Sequence, residues 1–136
     1  MKTITTYLVE DSAVIRESLI ATLEELSEVR VIGTAEDESS ATLWLRDNDN
    51  HPDLVIIDLF LKTGTGLGVL RSMRDQAHDS TLVVLTNYAT KDMCEKCLAL
   101  GATRVFDKSH DVDALLLYCN QLAAGEHPSS TPRLLQ

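Results

Sequence analysis

The most constraining stretch of the sequence is an apolar run, Leu54-Val55-Ile56-Ile57, that ends on Asp58. Pro52 precedes the run and a glycine-containing segment follows it, a pattern typical of a β-strand buried on both faces. A carboxylate at the end of a buried strand loses hydration, and it stays protonated unless water, a cation or hydrogen-bond donors offset its charge. Partners for Asp58 are therefore expected elsewhere in the chain.

Length and charge exclude several classes of protein. A chain of 136 residues fits one domain that builds its core without disulfides or a structural metal. Twelve Lys and Arg against 21 Asp and Glu give a net charge of −9, which argues against direct nucleic-acid binding. No apolar run has the length of a membrane span, and the N-terminus lacks a signal-peptide segment. We therefore expect no membrane insertion and a location in the cytoplasm.

The three cysteines are Cys94, Cys97 and Cys119. A zinc site needs a second pair of ligands, and no histidine lies at the spacing that would supply it. We therefore expect reduced thiols in or beside the core.

The hydrophobic pattern alternates five times between strand and helix. Strands are predicted at 4–9, 29–35, 54–58, 81–85 and 104–106, and helices at 12–26, 37–48, 67–73, 91–100 and 112–122. The predicted apolar face of the first helix holds Val14, Ile15, Leu19, Leu23 and Leu26; that of the second holds Ala41, Leu43, Trp44 and Leu45. Strands joined by helices are expected to be parallel, which gives a three-layer α/β sandwich. The domain is expected to cover residues 1–124, with a flexible polar tail at 125–136.

Polar side chains follow four of the five predicted strands. Glu10 and Asp11 follow the first strand, Asp58 the third, Thr86 the fourth and Lys108 the fifth. A single polar residue after a strand is usually no more than part of a surface loop. In a parallel sheet, however, the carboxyl ends of the strands meet at one edge, where open α/β folds place their sites. The coincidence at four ends therefore predicts a site.

The residue types in this set suit phosphoryl chemistry. Three clustered carboxylates raise one another's pKa, whereas Mg²⁺ binds a few carboxylate oxygens together with waters and a phosphate oxygen. An ionised Asp58 can then act as a nucleophile toward a phosphoryl group, while Lys108 and Thr86 meet the charge on the transferring oxygens. The sequence thus predicts a Mg²⁺-dependent phosphoryl site.

The whole set resembles the receiver domain of two-component response regulators, in order and spacing, from about residue 4 to residue 124. The motifs that carry the resemblance are the pair Glu10-Asp11, VIIDLFL around Asp58, VVLTNYA around Thr86 and GATRVFDKS around Lys108. The resemblance implies a flavodoxin-like (βα)5 sandwich with strand order 2-1-3-4-5. It also implies that a sensor histidine kinase or a histidine phosphotransfer protein passes phosphate from phosphohistidine to Asp58.

The resemblance also assigns the metal ligands. Asp11 and Asp58 are implied as direct ligands of Mg²⁺, Glu10 as a ligand through water, and the backbone carbonyl of Phe60 as a further ligand.

The remaining implied roles concern the phosphoryl group. Thr86 and Lys108 are implied contacts of its oxygens. Phe60 and Tyr88, each two residues beyond a site residue, are expected to flank the site. They either restrict the attacking water and lengthen the lifetime of the phosphoryl group, or they are ordinary surface packing.

Two positions depart from the family pattern. Val105 stands where the family has an aromatic switch residue, and Phe106 is expected to face the other side of the strand. We therefore expect Tyr88 or the main chain of residues 86–90 to carry the signal. Ser109 stands where a proline usually follows the lysine, so the peptide bond before it could be trans or cis.

We expect a stand-alone receiver that switches partner binding or relays phosphate, and that promotes its own phosphorylation without turning over an external substrate. One rival is the N-terminal receiver of a longer transcriptional regulator, because the tail also fits a linker. A haloacid dehalogenase-like phosphatase places an acid two residues after its nucleophile, where this chain has Phe60, and it needs a cap insertion. A non-phosphorylated interaction module would not need the complete acidic set.

Overall fold

Five strands and five helices alternate along the chain in the computed structural model, which describes residues 2–126. The strands are β1 (Ile4–Val9), β2 (Val29–Ala35), β3 (Leu54–Ile57), β4 (Thr81–Thr86) and β5 (Arg104–Asp107). The helices are α1 (Ala13–Leu26), α2 (Glu38–Arg46), α3 (Gly66–Arg74), α4 (Lys91–Ala99) and α5 (Val112–Ala123). Of the tail predicted at 125–136, residues 127–136 lie outside the described residues.

All strand pairs are parallel, and their order in the sheet is β2-β1-β3-β4-β5. One apolar cluster packs α1 and α5 on one face of the sheet, and a second packs α2, α3 and α4 on the other. The predicted flavodoxin-like three-layer sandwich is therefore confirmed. Among the described residues, no helix is long and apolar enough to cross a membrane.

Strand β3 lies at the centre of the sheet, and its four residues are 0–1% exposed. Leu54 and Ile56 belong to the cluster with α1 and α5, whereas Val55 and Ile57 belong to the opposite cluster. Each such side chain stabilises the fold by about 1.5–3 kcal/mol through burial. The strand thus gives Asp58 a rigid support at the edge of the sheet.

Several apolar side chains that were predicted to face the core are exposed. In α1 only Leu19 and Leu23, one helical turn apart, are buried, whereas Val14 is 80% exposed, Ile15 38% and Leu26 58%. Ile15 and Leu26 lie on the same side of the helix as Leu19 and Leu23 but in its first and last turns, whereas Val14 points to the opposite side. In α2, Leu43 is 75% exposed for the same reason, because it lies two positions from both buried residues of that helix, Ala41 and Leu45.

The only tryptophan of the sequence, Trp44, stacks on Tyr7 between α2 and the sheet. The ring centroids are 4.0 Å apart, and the planes differ by 9°. A Cβ at Gly33 would lie 3.0 Å from the Tyr7 ring, so the glycine on β2 leaves room for the stack. Burial, followed by the charge of Asp37, raises the pKa of Tyr7 to about 12.

At the amino edge of the sheet, Asp53 ties β1 to β3. Its Oδ2 accepts hydrogen bonds from the backbone N–H and the hydroxyl of Thr5, both at 3.0 Å, and its Oδ1 accepts one from Lys2 Nζ at 3.0 Å. Burial alone would raise the pKa of Asp53, but these hydrogen bonds outweigh it and lower the pKa. The ionised carboxylate therefore stabilises the fold.

The three cysteines are free thiols, as predicted: Cys97 and Cys119 are buried, and Cys94 is half-buried. Burial raises the pKa of each thiol, to about 11 at Cys97 and about 12 at Cys119.

Candidate functional site

The predicted site residues lie at the carboxyl edge of the sheet. Glu10 and Asp11 follow β1, Asp58 follows β3, Thr86 ends β4 and Lys108 follows β5. The three central strands are hydrogen-bonded neighbours, and β5 pairs with β4. Parallel topology therefore brings together residues that are far apart in the sequence.

Glu10, Asp11 and Asp58 each offer a carboxylate oxygen within 4.8 Å of the other two. Glu10 is 1% exposed and Asp58 7%, whereas Asp11 is half-buried. Water screens such charges poorly in a buried setting, so their mutual repulsion calls for a cation.

Lys108 supplies one cation inside the fold. Its Nζ lies 2.6 Å from Glu10 Oε1 and 2.9 Å from Asp58 Oδ2. Burial alone would lower the pKa of Lys108, but its contacts with both carboxylates outweigh that effect and raise it. Burial raises the pKa of Glu10, and the contact with Lys108 only partly opposes this. When all groups are ionised, three carboxylates and one ammonium leave two negative charges, which a divalent cation would balance.

Two observations test whether these residues fit a metal ion. All side-chain donors in the cluster are carboxylate oxygens, the ligands that Mg²⁺ prefers. Glu10 Oε1 is buried and ion-paired with Lys108 at 2.6 Å, and a carboxylate oxygen has a second lone pair that can accept from a water ligand of the ion. The cluster therefore has both the chemistry and the spare acceptor that a hydrated divalent cation requires.

Local structure orients Glu10. Its Oε2 accepts a hydrogen bond from Ser12 N at 3.0 Å, and Ser12 is also the N-cap of α1. Its backbone carbonyl accepts a hydrogen bond from Arg16 Nη1 at 2.8 Å, and Arg16 lies 3.9 Å from Glu36. The charge of Arg16 suggests a solvent-exposed side chain, but this side chain is only 20% exposed and anchors the end of β1. No residue type near Arg16 indicates this backbone partner in advance.

The loop between β3 and α3 carries Phe60, whose carbonyl is the further ligand implied by the resemblance. Phe60 N–H faces Asp58 Oδ1 at 3.4 Å, and Phe60 pairs with Thr65 in an isolated antiparallel bridge. A Cβ at Gly66 would overlap the carbonyl oxygen of Asp58, so this position requires glycine. The loop therefore folds back closely over the end of β3.

Thr86 is fully buried, and its position is fixed by two hydrogen bonds. Its hydroxyl oxygen accepts one from Tyr88 N at 3.2 Å, and its carbonyl accepts one from Lys108 N at 3.0 Å. A hydroxyl has one donor and two acceptor lone pairs, so the bond from Tyr88 leaves the proton free to donate. The backbone of Lys108 is thereby attached to the end of β4.

Phe60 and Tyr88 contact each other beside the site. Their ring centroids are 4.6 Å apart in an edge-to-face arrangement, with 63° between the planes. Phe60 is 50% exposed and Tyr88 58%. The sequence predicted that both flank the site but did not predict this contact, which joins the loops after β3 and β4.

The two departures from the family pattern have clear structural places. Phe106 is 1% exposed and packs on Tyr118 at 5.8 Å between ring centroids, in the cluster with α1 and α5, whereas Val105 packs with the opposite cluster. The prediction that the aromatic ring faces away from Val105 is confirmed. No cis peptide bond occurs among residues 2–126, so the bond before Ser109 is trans.

Side chains around Ser109 hold the loop between β5 and α5, which the sequence did not predict. Asp107 Oδ1 accepts hydrogen bonds from Ser109 N at 2.7 Å and from His110 N at 3.1 Å. The hydroxyl of Ser109 contacts Asn87 Oδ1 at 3.2 Å, which connects this loop to the loop after β4. Asp and Asn commonly fold turns in this way, but the pattern alone does not reveal their partners.

Comparisons with known proteins agree with this geometry. The family model described as "Response regulator receiver domain" matches residues 6–120. The transcriptional regulatory proteins YdfI of Bacillus subtilis (strain 168) and CitB of Klebsiella pneumoniae are each 30% identical to the chain, over 95 and 107 residues. These matches cover 70% and 79% of this chain but 43% and 44% of the relatives. The chain thus spans less than half the length of these relatives.

Solved structures show the same fold. A two-component response regulator of the LuxR family from Aurantimonas sp. SI85-9A1 has a TM-score of 0.81 at 25% identity, covering 95% of this chain and 91% of that chain. The response regulator domain of Thermotoga maritima CheB has a TM-score of 0.78 at 20% identity, covering 93% and 100%. With the strand order, the acidic cluster and the match over residues 6–120, these likenesses show that the chain belongs to the receiver domains of two-component response regulators.

Proposed function

We propose that the chain is a phosphorylation-dependent switch in which Asp58 accepts a phosphoryl group from a phosphohistidine donor. The observation that carries this proposal is the convergence of Asp58 with two further carboxylates and with the Lys108 ammonium at the edge of the sheet. The donor is a sensor histidine kinase or a histidine phosphotransfer protein.

In the proposed reaction, a carboxylate oxygen of Asp58 attacks phosphorus. The new O–P bond forms as the P–N bond to the donor imidazole breaks, and the imidazole leaves with that electron pair and takes up a proton. β3 holds the nucleophile still, and the Lys108 ammonium and the Thr86 hydroxyl stabilise charge on the phosphoryl oxygens.

Asp11, Asp58 and the backbone carbonyl of Phe60 would hold Mg²⁺, with Glu10 binding through water. The bound ion supplies positive charge that compensates the carboxylates and the phosphoryl oxygens. In this arrangement Lys108 continues to neutralise part of the cluster, because it contacts Glu10 as well as Asp58.

We further infer that phosphorylation is read through the loop after β4. The hydroxyl of Thr86 is bonded to the backbone of Tyr88, so a phosphoryl group that attracts the hydroxyl also pulls on residues 86–90. Val105 offers no aromatic ring that could rotate in response. Phosphorylation shifts the equilibrium between inactive and active conformations only by as much free energy as the phosphoryl group favours the active one.

The extent of the protein is part of the same proposal. α5 ends at Ala123, close to the predicted domain limit at residue 124. This domain acts either as a switch on its own or as a receiver within a longer transcriptional regulator. The second possibility agrees with relatives named as transcriptional regulatory proteins of about twice the matched length. The target protein and a location in the cytoplasm stay predictions.

Incubation with Mg²⁺ and acetyl phosphate, followed by intact mass measurement, tests the proposal. We expect one phosphoryl group on the wild type and on Asp79→Asn, an exposed control, and none on Asp58→Asn or after removal of Mg²⁺ with a chelator. An adduct that persists in Asp58→Asn would overturn the assignment. Turnover of many phosphomonoesters would favour the phosphatase reading instead.

A further inference from the structure

Glu38, the first residue of α2, is bonded to the loop between β3 and α3 at two places. Its backbone N–H donates to the Thr63 carbonyl at 3.1 Å, and its Oε1 accepts a hydrogen bond from Thr65 N at 2.9 Å. The side chain therefore connects two elements that are 27 residues apart in the sequence.

The glycines of this segment leave space for the Glu38 side chain. Gly64 has a φ of +80°, and a Cβ there would overlap Glu38 Cβ. Gly68 lies in the first turn of α3, and a Cβ there would overlap the Glu38 carboxylate. The amino end of α3 also favours a negative charge, because its first N–H groups point toward it. The glycines at 64 and 68 thus leave a space that the Glu38 side chain fills.

A short series of contacts connects Glu38 with Asp58, the proposed phosphoacceptor. Thr65 donates its N–H to the Glu38 carboxylate, and Thr65 is also the bridge partner of Phe60. Phe60 N–H in turn faces Asp58 Oδ1. Phe60 and residues 62–65 are exposed, so burial does little to hold this part of the loop. Besides the ring contact between Phe60 and Tyr88, the hydrogen bond to Glu38 therefore contributes to the order of the loop.

We propose that Glu38 is a positioning residue that fixes the Phe60 segment in the conformation that receives Mg²⁺. This inference rests on the proposed metal site and adds to it a residue on α2. Residues beyond the direct ligands commonly change metal affinity by about tenfold or more when they orient a ligand. Without Glu38 the loop would have to become ordered when the ion binds, which weakens binding.

Isothermal titration of the unphosphorylated protein with Mg²⁺ measures the effect directly. We expect Glu38→Ala to raise the Kd by about tenfold. Glu38→Gln keeps an oxygen that accepts from Thr65 N, so its Kd should return to within about threefold of the wild-type value. Ser39→Ala changes an exposed neighbour on the same helix and is the matched control, with an unchanged Kd.

Gly68→Ala offers an independent route, because it displaces the Glu38 carboxylate without deleting it. Alanine favours a helix over glycine, so a purely structural effect of this change would strengthen α3. We instead expect Gly68→Ala to raise the Kd for Mg²⁺. Because both changes act through the same carboxylate, the Kd of the double variant Glu38→Ala/Gly68→Ala should lie within about twofold of the higher of the two single-variant values.

Amide hydrogen exchange of the metal-free protein separates this inference from the proposed function. Faster exchange at residues 60–65 in Glu38→Ala than in Ser39→Ala is expected. Unchanged exchange, or a Kd within about twofold of the wild-type value, would overturn the role of Glu38 even if Asp58 is phosphorylated. A wild-type protein that binds Mg²⁺ no better than Asp11→Asn would overturn the metal site itself. In that case the positioning role falls with it.

Discussion

Lys108 Nζ lies 2.9 Å from Asp58 Oδ2, although 50 residues separate the two positions in the sequence. The side chains are 12% and 8% exposed, so the contact is an ion pair largely removed from water. Removing one partner of such a pair leaves the other charge without compensation. The carboxylate proposed to accept the phosphoryl group and the ammonium that neutralises it therefore depend on each other.

Replacement of Lys108 should slow phosphorylation of Asp58. We expect Lys108→Met to reduce the rate with acetyl phosphate by about a hundredfold, because one donor to the developing charge is lost. Lys108→Arg should restore only part of the rate, since the planar guanidinium does not reproduce a point charge in a confined site. Intact mass measured against time gives the rates.

Lys91→Met removes an exposed lysine and serves as the control for a change in net charge. A Lys108→Met protein that is phosphorylated as fast as this control would contradict a role for the ammonium in the reaction.

The aromatic pair should control how long the phosphoryl group survives. If Phe60 and Tyr88 restrict the attacking water, Phe60→Ala and Tyr88→Ala should each raise the dephosphorylation rate by about fivefold, or about 1 kcal/mol of barrier. Because the rings touch, the effects should not add in the double variant. Loss of the phosphoryl group after removal of the donor gives the rate.

Leu117→Ala, an exposed apolar position on α5, is the control for general loss of surface packing. Rates unchanged from the wild type in both single variants would show that the two rings are surface packing only.

Asp53 should stabilise the fold in a pH-dependent manner. Its pKa is lowered in the folded chain, so its contribution is present above the ordinary carboxyl pKa of about 4 and is lost as the pH falls through the folded value. We expect Asp53→Asn to reduce the free energy of unfolding by about 1 kcal/mol at pH 7, because the bonds from Thr5 are partly exposed. Urea denaturation at several pH values measures this difference.

The difference between wild type and Asp53→Asn should shrink once the pH lies below the folded pKa of Asp53. A difference that is constant across this range would mean that the ionised carboxylate makes no special contribution. Asp79→Asn, an exposed position, should show no such pH dependence.

Phosphorylation should move the loop after β4 together with the loop after β5. The amide resonances of residues 86–90 are expected to shift, and those of Ser109 and His110 should shift with them through the contact between Ser109 and Asn87. In Ser109→Ala the shifts at residues 86–90 should persist while that at His110 becomes smaller. Nuclear magnetic resonance of free and phosphorylated protein provides the measurement.

A loop at residues 86–90 that stays unchanged on phosphorylation would refute this route for the signal. Shifts at His110 that are equal in the wild type and in Ser109→Ala would refute only the coupling through Asn87.

The sheet and its edge were predictable because both depend on short-range patterns. The apolar run that ends at Asp58 requires a central strand, and the change of period after each strand requires a helix. Parallel strands then place Glu10, Asp11, Thr86 and Lys108 at one edge without knowledge of any individual contact. The strand order and the assignment of the proposed metal ligands still required the family resemblance.

The contacts that orient the site were not predictable, because they join loops whose separation only the tertiary structure determines. By residue type, Arg16 is an ordinary charged residue for the solvent side of a helix, and Glu38 was not singled out in the sequence. Their partners are backbone groups, which leave no trace in the residue types. The exposed Val14 and Leu43 show a related limit, since both are apolar but lie away from the buried side of their helices, and residue type alone does not reveal which side a neighbour covers.

The stack of Trp44 on Tyr7 gives the chain a built-in optical reporter. With one indole in the sequence, all tryptophan fluorescence arises from a single position on α2. The emission therefore reports, without any added label, whether α2 is packed against the sheet, and it changes when the helix detaches. Because Glu38 begins the same helix, the wavelength of this emission distinguishes a variant whose helix remains seated from one whose helix has shifted.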